Sequence, residues 1–308
     1  MSHERTSLTA KKIARFLLLI DSVPRFAGLL PADAATTAEA ILRASGAIPR
    51  RDIDMMRAPW TQRFYEMAEV LTARGQLLWF GLRKRWMADA VEEAIAAGAT
   101  QLLVVGAGFD PLATMVARRH PEVTCVEVDA PATAGPKRAG VLGAGLERTN
   151  LHLCAADLSK RSLGEVLRET PWRSDARSVV VAEGLLMYLD AKDVKAFFRT
   201  VHAHTGKGSR VAFSYLNGDD AGRPRLGTLD WLIRTSLRLA GERMRWGIRP
   251  ERLPGFVEEA GFSLVEHVDM EAMRKKYLAP IGLPEEPLAP YEYLALVEVS
   301  ARSTAVRS

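Results

Sequence analysis

The spacing of hydrophobic positions changes once along the chain, near residue 100. Upstream, residues 32–47 are alanine-rich. Residues 54–74 and 76–97 place apolar side chains three and four positions apart, which predicts helices and no strand. An earlier apolar run, Ile13 to Ile20, follows Lys11 and Lys12, is interrupted by Arg15 and stops at Asp21. It is too short to span a bilayer and has no small-residue cleavage site after it, so it reads as an amphipathic helix and not as a targeting segment. Gly98 predicts a left-handed stop to the last of these helices. Beyond it, Leu102-Leu103-Val104-Val105 is a short continuous apolar run, the mark of a strand buried on both faces.

From there strands and helices alternate. Strands are predicted at 102–105, 123–128, 151–154, 178–182 and 209–215, separated by helices at 111–119, 134–145, 162–170 and 190–204. That order implies an α/β fold with a doubly wound, mostly parallel sheet. After Tyr215 come a loop at 217–224, a helix at 227–240 with Trp231 and Leu232 on its apolar side, and a helix from Pro250 to Gly261. Two antiparallel strands, 262–268 and 293–299, close a seven-stranded sheet, and the tail from Arg302 frays. The chain divides into a helical cap region, 1–97, and a ligand-binding domain, 98–308, with a lid insertion near 217–250. The lid carries Trp231, Leu232, Leu237, Leu239 and Trp246, an apolar stripe that also suits simple core packing.

Composition narrows the partners. The 308 residues are 48% hydrophobic and 26% charged, which supplies a sizeable core. Lys and Arg number 42 against 37 Asp and Glu, for a formal net charge of +5. The cations are dispersed, and their densest group, Arg83-Lys84-Arg85, lies inside an apolar-periodic helix, so no nucleic-acid surface is indicated. No run reaches the length of a membrane span. Cys125 and Cys154 sit in strand-like runs without metal-type spacing, which predicts buried free thiols, no metal site and a cytoplasmic setting.

In parallel sheets ligands bind beyond the carboxyl ends of the strands. The first strand ends in Gly106-Ala107-Gly108-Phe109-Asp110-Pro111, where two glycines admit close backbone approach and Asp110 is placed to cap the next helix. A dinucleotide fold wants a third glycine, where Pro111 stands, and Asp110 would repel a pyrophosphate. S-adenosylmethionine carries no phosphate, and an acidic glycine-bearing turn suits it. Glu127 and Asp129 follow Gly106 by about twenty residues, the distance at which a carboxylate accepts ribose hydroxyls. Asp157 ends the third strand, where it either meets an adenine amino group with Leu158 beside it or caps a turn. Glu183 ends the fourth and faces the middle of the cleft, followed by Met187, a core residue, and Tyr188.

In order, Gly106-Ala107-Gly108-Phe109-Asp110, then Glu127-Val128-Asp129-Ala130-Pro131 with Lys137, then Ala156-Asp157-Leu158, then Ala182-Glu183-Gly184-Leu185-Leu186-Met187-Tyr188-Leu189 resemble the leucine carboxyl methyltransferase family. Leu82-Arg83-Lys84-Arg85-Trp86 resembles its Arg-x-Arg-aromatic helix, and Trp246-Gly247-Ile248-Arg249-Pro250-Glu251 its segment after the lid. The resemblance implies a Rossmann-like fold and S-adenosyl-L-methionine as cofactor. It implies that Arg83 binds the methionyl carboxylate, Gly106, Ala107 and Gly108 line the methionyl part, Asp129 takes the ribose, Asp157 and Leu158 the adenine, and Glu183 the ammonium. Many bacterial members have Asp-Thr-Arg after the glycines where this chain has Asp110-Pro111-Leu112. Residues 1–75 match no family motif and read as a substrate lid or a homodimer contact.

The expected activity is methyl transfer to a carboxyl or hydroxyl of a small, fairly apolar acceptor, by in-line displacement that rests on alignment. No histidine is placed as a base, which leans the reading toward an acceptor that ionises by itself. Tyr188 is the candidate residue on the acceptor side. The competing readings are a protein carboxyl methyltransferase, a nicotinamide-dependent oxidoreductase and a non-catalytic cofactor-binding module.

Overall fold

The structure, a computed structural model, describes residues 8–71, 74–225, 243–289 and 292–300. Five helices come first: α1 (Leu8–Asp21), α2 (Ala34–Ser45), α3 (Arg50–Arg57), α4 (Pro59–Leu71) and α5 (Gln76–Ala96). The expected single helix at 54–74 is two, because Pro59 has no N–H to continue α3 and instead opens α4. At the end of α5, Gly98 takes φ +97° while its N–H bonds Ile95 O at 2.8 Å and the Ala99 N–H bonds Ala94 O at 2.9 Å. This is the left-handed stop expected from the sequence, and it turns the chain straight into the sheet.

Alternation follows. β1 (Gln101–Val105), α6 (Leu112–Arg119), β2 (Thr124–Asp129), α7 (Pro131–Gly143), β3 (Leu151–Ala155), α8 (Leu163–Arg168), β4 (Ser178–Ala182), α9 (Ala191–Ala203) and β5 (Arg210–Leu216) match the predicted elements to within a few residues. Then come α10 (Leu253–Glu258), β6 (Phe262–Val268), α11 (Met270–Met273) and β7 (Glu292–Val299). The short helical turns over 270–281 were not anticipated, since their apolar residues are too few to show a period. The expected helix at 227–240, with Trp231, Leu232, Leu237 and Leu239, lies outside the described residues. Trp246, assigned to the lid by sequence, is buried, with its ring against Phe256.

The sheet runs β3-β2-β1-β4-β5-β7-β6. β1 pairs in parallel with both β2 and β4, and every residue of β1 and of β4 is buried, as central strands covered on two faces must be. Alternate side chains feed two cores. Leu102 and Val104 join a core that continues through α1, α2 and α5, whereas Leu103 and Val105 join one with Val166, Phe198 and Val257. Cys125 is buried as expected, but Cys154 is only half-buried because β3 is an edge strand. Among the described residues no helix is long and apolar enough to cross a membrane, and no group of His, Cys, Asp and Glu could hold a metal.

Winding reverses between β1 and β4, so a crevice opens beyond their carboxyl ends. β7 alone runs against its two neighbours, which brings its first residue, Glu292, to that same end, opposite Leu216. The N-terminal helices are clamped to the sheet layer by α7 crossing α2: a Cβ on Gly140 would lie 2.4 Å from the Ile41 carbonyl oxygen. Gly140→Ala should cost about 1–3 kcal/mol, while Gly135→Ala, in open space on the same helix, should gain up to about 1 kcal/mol. Denaturant titration of the two variants tests this, and equal behaviour would show that the close crossing is absent.

Candidate active site

β1 delivers its glycine turn into the crevice. Gly106 has φ +70° and Gly108 φ +55°, backbone that disfavours a side chain, and a Cβ on Gly106 would lie 3.0 Å from Leu185 Cδ1. The Gly106 N–H bonds Val128 O at 2.8 Å and the Gly108 N–H donates to Asp129 Oδ2 at 2.6 Å, so the turn is tied to the end of β2. Asp129 Oδ1 accepts from the Ala130 N–H at 2.6 Å. Burial pushes the Asp129 carboxyl up despite these two bonds. Each of its oxygens keeps a lone pair for a further donor.

Opposite the glycines stands α5, pressed on β4 and β5. Arg83 and Lys84 leave it toward the strand ends, and Arg85 turns away to Asp89. Arg83 Nε donates to Glu183 Oε1 at 2.7 Å, and Lys84 Nζ sits 3.0 Å from Glu183 Oε2 and 2.5 Å from Asp110 Oδ2. Asp110 Oδ1 also accepts the N–H of Leu112, the first residue of α6, at 3.0 Å, although Pro111 and not Asp110 holds the capping position. Arg83 Nη1 meets both Glu292 oxygens, at 2.7 and 2.6 Å. Behind the turn, Lys137 Nζ reaches Glu127 Oε2 and the Asp110 carbonyl oxygen, each at 2.5 Å.

For Arg83, Lys84, Asp110 and Glu127 burial disfavours the charge, and pairing restores it in all but Glu127. Burial pushes the Arg83 guanidinium down, but Glu292 and Glu183 more than reverse this. Lys84 likewise ends above its ordinary value, against burial, through Asp110 and Glu183. For Asp110 burial pushes up, and Lys84, Lys137 and the Leu112 N–H bring the carboxyl below the usual range. Glu127 stays raised, because burial outweighs its bond to Lys137.

A cleft of about 210 Å³ is enclosed by these elements. It gathers Arg83, Gly106, Ala107, Gly108, Asp129, Glu183 and Tyr188 of the residues predicted from sequence. Glu127, the other candidate after β2, does not reach it. Asp157 and Leu158 are outside as well, one strand over. Asp157 accepts from the Ser159 N–H at 3.0 Å and from Ser159 Oγ at 2.7 Å, the turn-capping arrangement, and Leu158 is 39% exposed. They remain next to the cleft, since the Ala156 N–H bonds Asp129 O at 2.8 Å. Tyr188 lies on a single 3-10 turn, Leu186–Tyr188, and not on a full helix.

Sequence reasoning missed Lys84 and Glu292, and placed Asp110 in the acidic turn without the partner that holds it. It also left open the role of α1, whose Ile13, Ala14 and Leu17 form an apolar wall of the cleft. The amphipathic pattern of 13–20 showed that α1 has a buried face, but not what that face covers. A larger hollow of about 660 Å³ lies between the end of α1, the start of α5 and residues 282–287, and contains none of the strand-end residues.

The sheet and the crevice define a Rossmann-like α/β fold with a ligand cleft at the carboxyl ends of β1 and β4. A solved structure from Thermobifida fusca, provisionally described as a methyltransferase, shares this fold with a TM-score of 0.55 at 18% identity, over 90% of this chain and 98% of that one. The leucine carboxyl methyltransferase family model matches residues 33–202, and the chain belongs to that family. Curated relatives from Mycobacterium tuberculosis H37Rv and Mycobacterium sp. JLS are both 31% identical, over 43% and 44% of this chain. Both carry the provisional name S-adenosyl-L-methionine-dependent methyltransferase. The matched segment spans under half of these relatives, 43% and 45% of their lengths.

Asp110 gives a test of the charge pairing. Its folded value lies below the unfolded one, near pH 3.9, so the stabilisation is complete above that and lost as pH falls through the folded value. Asp110→Asn should cost about 3 kcal/mol or less at neutral pH, since Lys84 keeps Glu183. The melting-temperature gap to the parent should close below about pH 4. A gap unchanged down to about pH 3 would mean that the Asp110 charge contributes nothing.

Proposed function

We propose that the protein is an S-adenosyl-L-methionine-dependent O-methyltransferase whose acceptor is a small, fairly apolar molecule, with its carboxyl group as the favoured target. The observation that carries the cofactor is the charge of the crevice. Three carboxylates (Asp110, Asp129, Glu183) and two cations (Arg83, Lys84) line it, a formal excess of one negative charge, and Glu292, paired with Arg83, adds a second. S-adenosylmethionine, with a sulfonium, an ammonium and one carboxylate, is a net cation and suits that field. A dinucleotide pyrophosphate would oppose it, which disfavours the oxidoreductase reading. The glycine turn fits as well, since a side chain on Gly106 would fill the space against Leu185.

When bound, the cofactor supplies a methyl group on a sulfonium, which an acceptor oxygen displaces in line. In this reading Gly106, Ala107 and Gly108 admit the methionyl chain, and Arg83 faces its carboxylate. Glu183 offers its remaining lone pairs to the ammonium, and Asp129 holds the ribose hydroxyls. Asp157 and Leu158 border the adenine from the neighbouring strand.

Ile13, Ala14 and Leu17 of α1, with Leu185, Tyr188 and Leu189, supply the apolar side that an acceptor would contact. On this basis we assign α1 to the cap and residues 98–308 to the catalytic domain. No histidine lines the cleft among the described residues, and a carboxylate acceptor, already ionised, needs no base. The family's own description favours a carboxyl acceptor too, and protein carboxyl methylation would differ only in the molecule presented.

Calorimetric titration should show binding of S-adenosylmethionine and S-adenosylhomocysteine and none of NAD. Arg83→Ala should weaken binding of S-adenosylhomocysteine by about 1.5–3 kcal/mol, the range for a charge-assisted hydrogen bond. Binding of NAD in preference to both would overturn the assignment.

A further inference from the structure

We infer that Glu292 is the positioning residue for Arg83: it fixes the roll of the guanidinium so that one N–H edge is presented to the cofactor's amino-acid end. The inference rests on the cofactor reading above and assigns a role to a residue from outside the four strand-end motifs.

The guanidinium is planar, and its hydrogens point outward in that plane along distinct directions. Here, among the described residues, Nε and Nη1 are engaged and the two N–H groups of Nη2 are not. Nε is held by Glu183 Oε1 at 2.7 Å, and Nη1 by both oxygens of Glu292 at 2.7 and 2.6 Å. The Phe80 ring covers one face, with Cζ 4.8 Å from its centroid. Nη2 meets no acceptor among the described residues. It lies 3.6 Å from the position a Cβ would take on Gly184, which has φ +60° and lines the cleft. A side chain at residue 184 would therefore stand against the one unengaged edge.

Glu183 alone does not define this arrangement. An Arg–carboxylate pair prefers to close as a two-bond fork, and Nε and Nη2 form the edge that would close on Glu183. That fork would take up both Glu183 oxygens and the edge needed by the ligand. Lys84 draws the second oxygen, Glu183 Oε2, to itself at 3.0 Å, and Glu292 holds Nη1 from the opposite side, so that the two together keep the fork open. Glu292 is itself aimed by the Trp79 indole N–H, which donates to Oε2 at 2.9 Å. The antiparallel course of β7 makes this possible, because a strand entering at the site edge brings its first residue there. Both groups are buried, with side chains 3% and 8% exposed, where an ion pair costs much of what it returns. Its use is thus orientation.

The test compares two ligands in one calorimetric series on the full chain. S-adenosylhomocysteine has the amino-acid end, and 5′-methylthioadenosine has the same nucleoside and sulfur without it. Glu292→Gln should weaken S-adenosylhomocysteine binding about tenfold or more and leave 5′-methylthioadenosine within about twofold. Trp79→Phe keeps an aromatic ring and removes the donor that aims Glu292 together with part of the indole's volume, so it should show the same selective loss to a smaller degree, the lost volume acting on both ligands alike. It also carries the test if Glu292→Gln does not fold. Equal loss of both ligands would reduce Glu292 to a structural residue, and no loss of either would overturn the inference. Failure of the unmodified chain to bind either ligand would instead remove the cofactor reading on which the inference stands.

Discussion

Buried charge is the constraint around which this molecule is arranged. At the carboxyl end of the sheet, cations from α5 and α7 interleave with carboxylates from β2, β7 and the turns that follow β1 and β4. None of these side chains would be tolerated there alone, since an unpaired ion in such a setting shifts its proton or unfolds its surroundings. Each is held by a partner from a different element. The ends of non-neighbouring strands are thereby locked in mutual register by electrostatics as well as by the sheet.

This arrangement explains why α5 carries ions on a face that otherwise reads as core. Leu82 and Trp86 fasten the helix to the sheet, and Arg83 and Lys84, between them, are thrust toward the crevice. Placing them on a long, well-packed helix removes the conformational freedom that makes Lys and Arg costly to order. A cleft built in this way is organised before any ligand arrives, so less of the binding energy goes into ordering side chains. The apolar wall from α1 gives the same cleft a second property, a non-polar surface facing the paired charges.

Much of the fold was legible because its signals are local. The strand at Gln101–Val105 announces itself by a continuous apolar run, and α5 stops where a glycine can turn left-handed. The glycine turn, Asp129 and Glu183 were legible for the same reason: in a doubly wound sheet, the residues just after each strand meet at one crevice. Legibility fell where a local signal was weak or had two meanings. Pro59 divides a helix whose periodicity continues across it, and Asp157, which the sequence leaves open between a turn cap and a ligand contact, has the same sequence environment in either role.

By itself, then, the chain's pattern determined the alternation of elements, the buried centre of the sheet and the acidic, glycine-bearing strand ends, because side-chain period and turn chemistry act over a few residues. Only the tertiary structure decided which ions pair. Glu292 lies more than two hundred positions from Arg83 along the chain, and nothing in its neighbours marks it out. It reaches the site because β7 inserts between β5 and β6 in reverse, and because α1 and α5 bring separate faces to the same crevice. Such placements depend on how whole elements dock against one another, and a short-range pattern of hydrophobic and polar residues does not specify that.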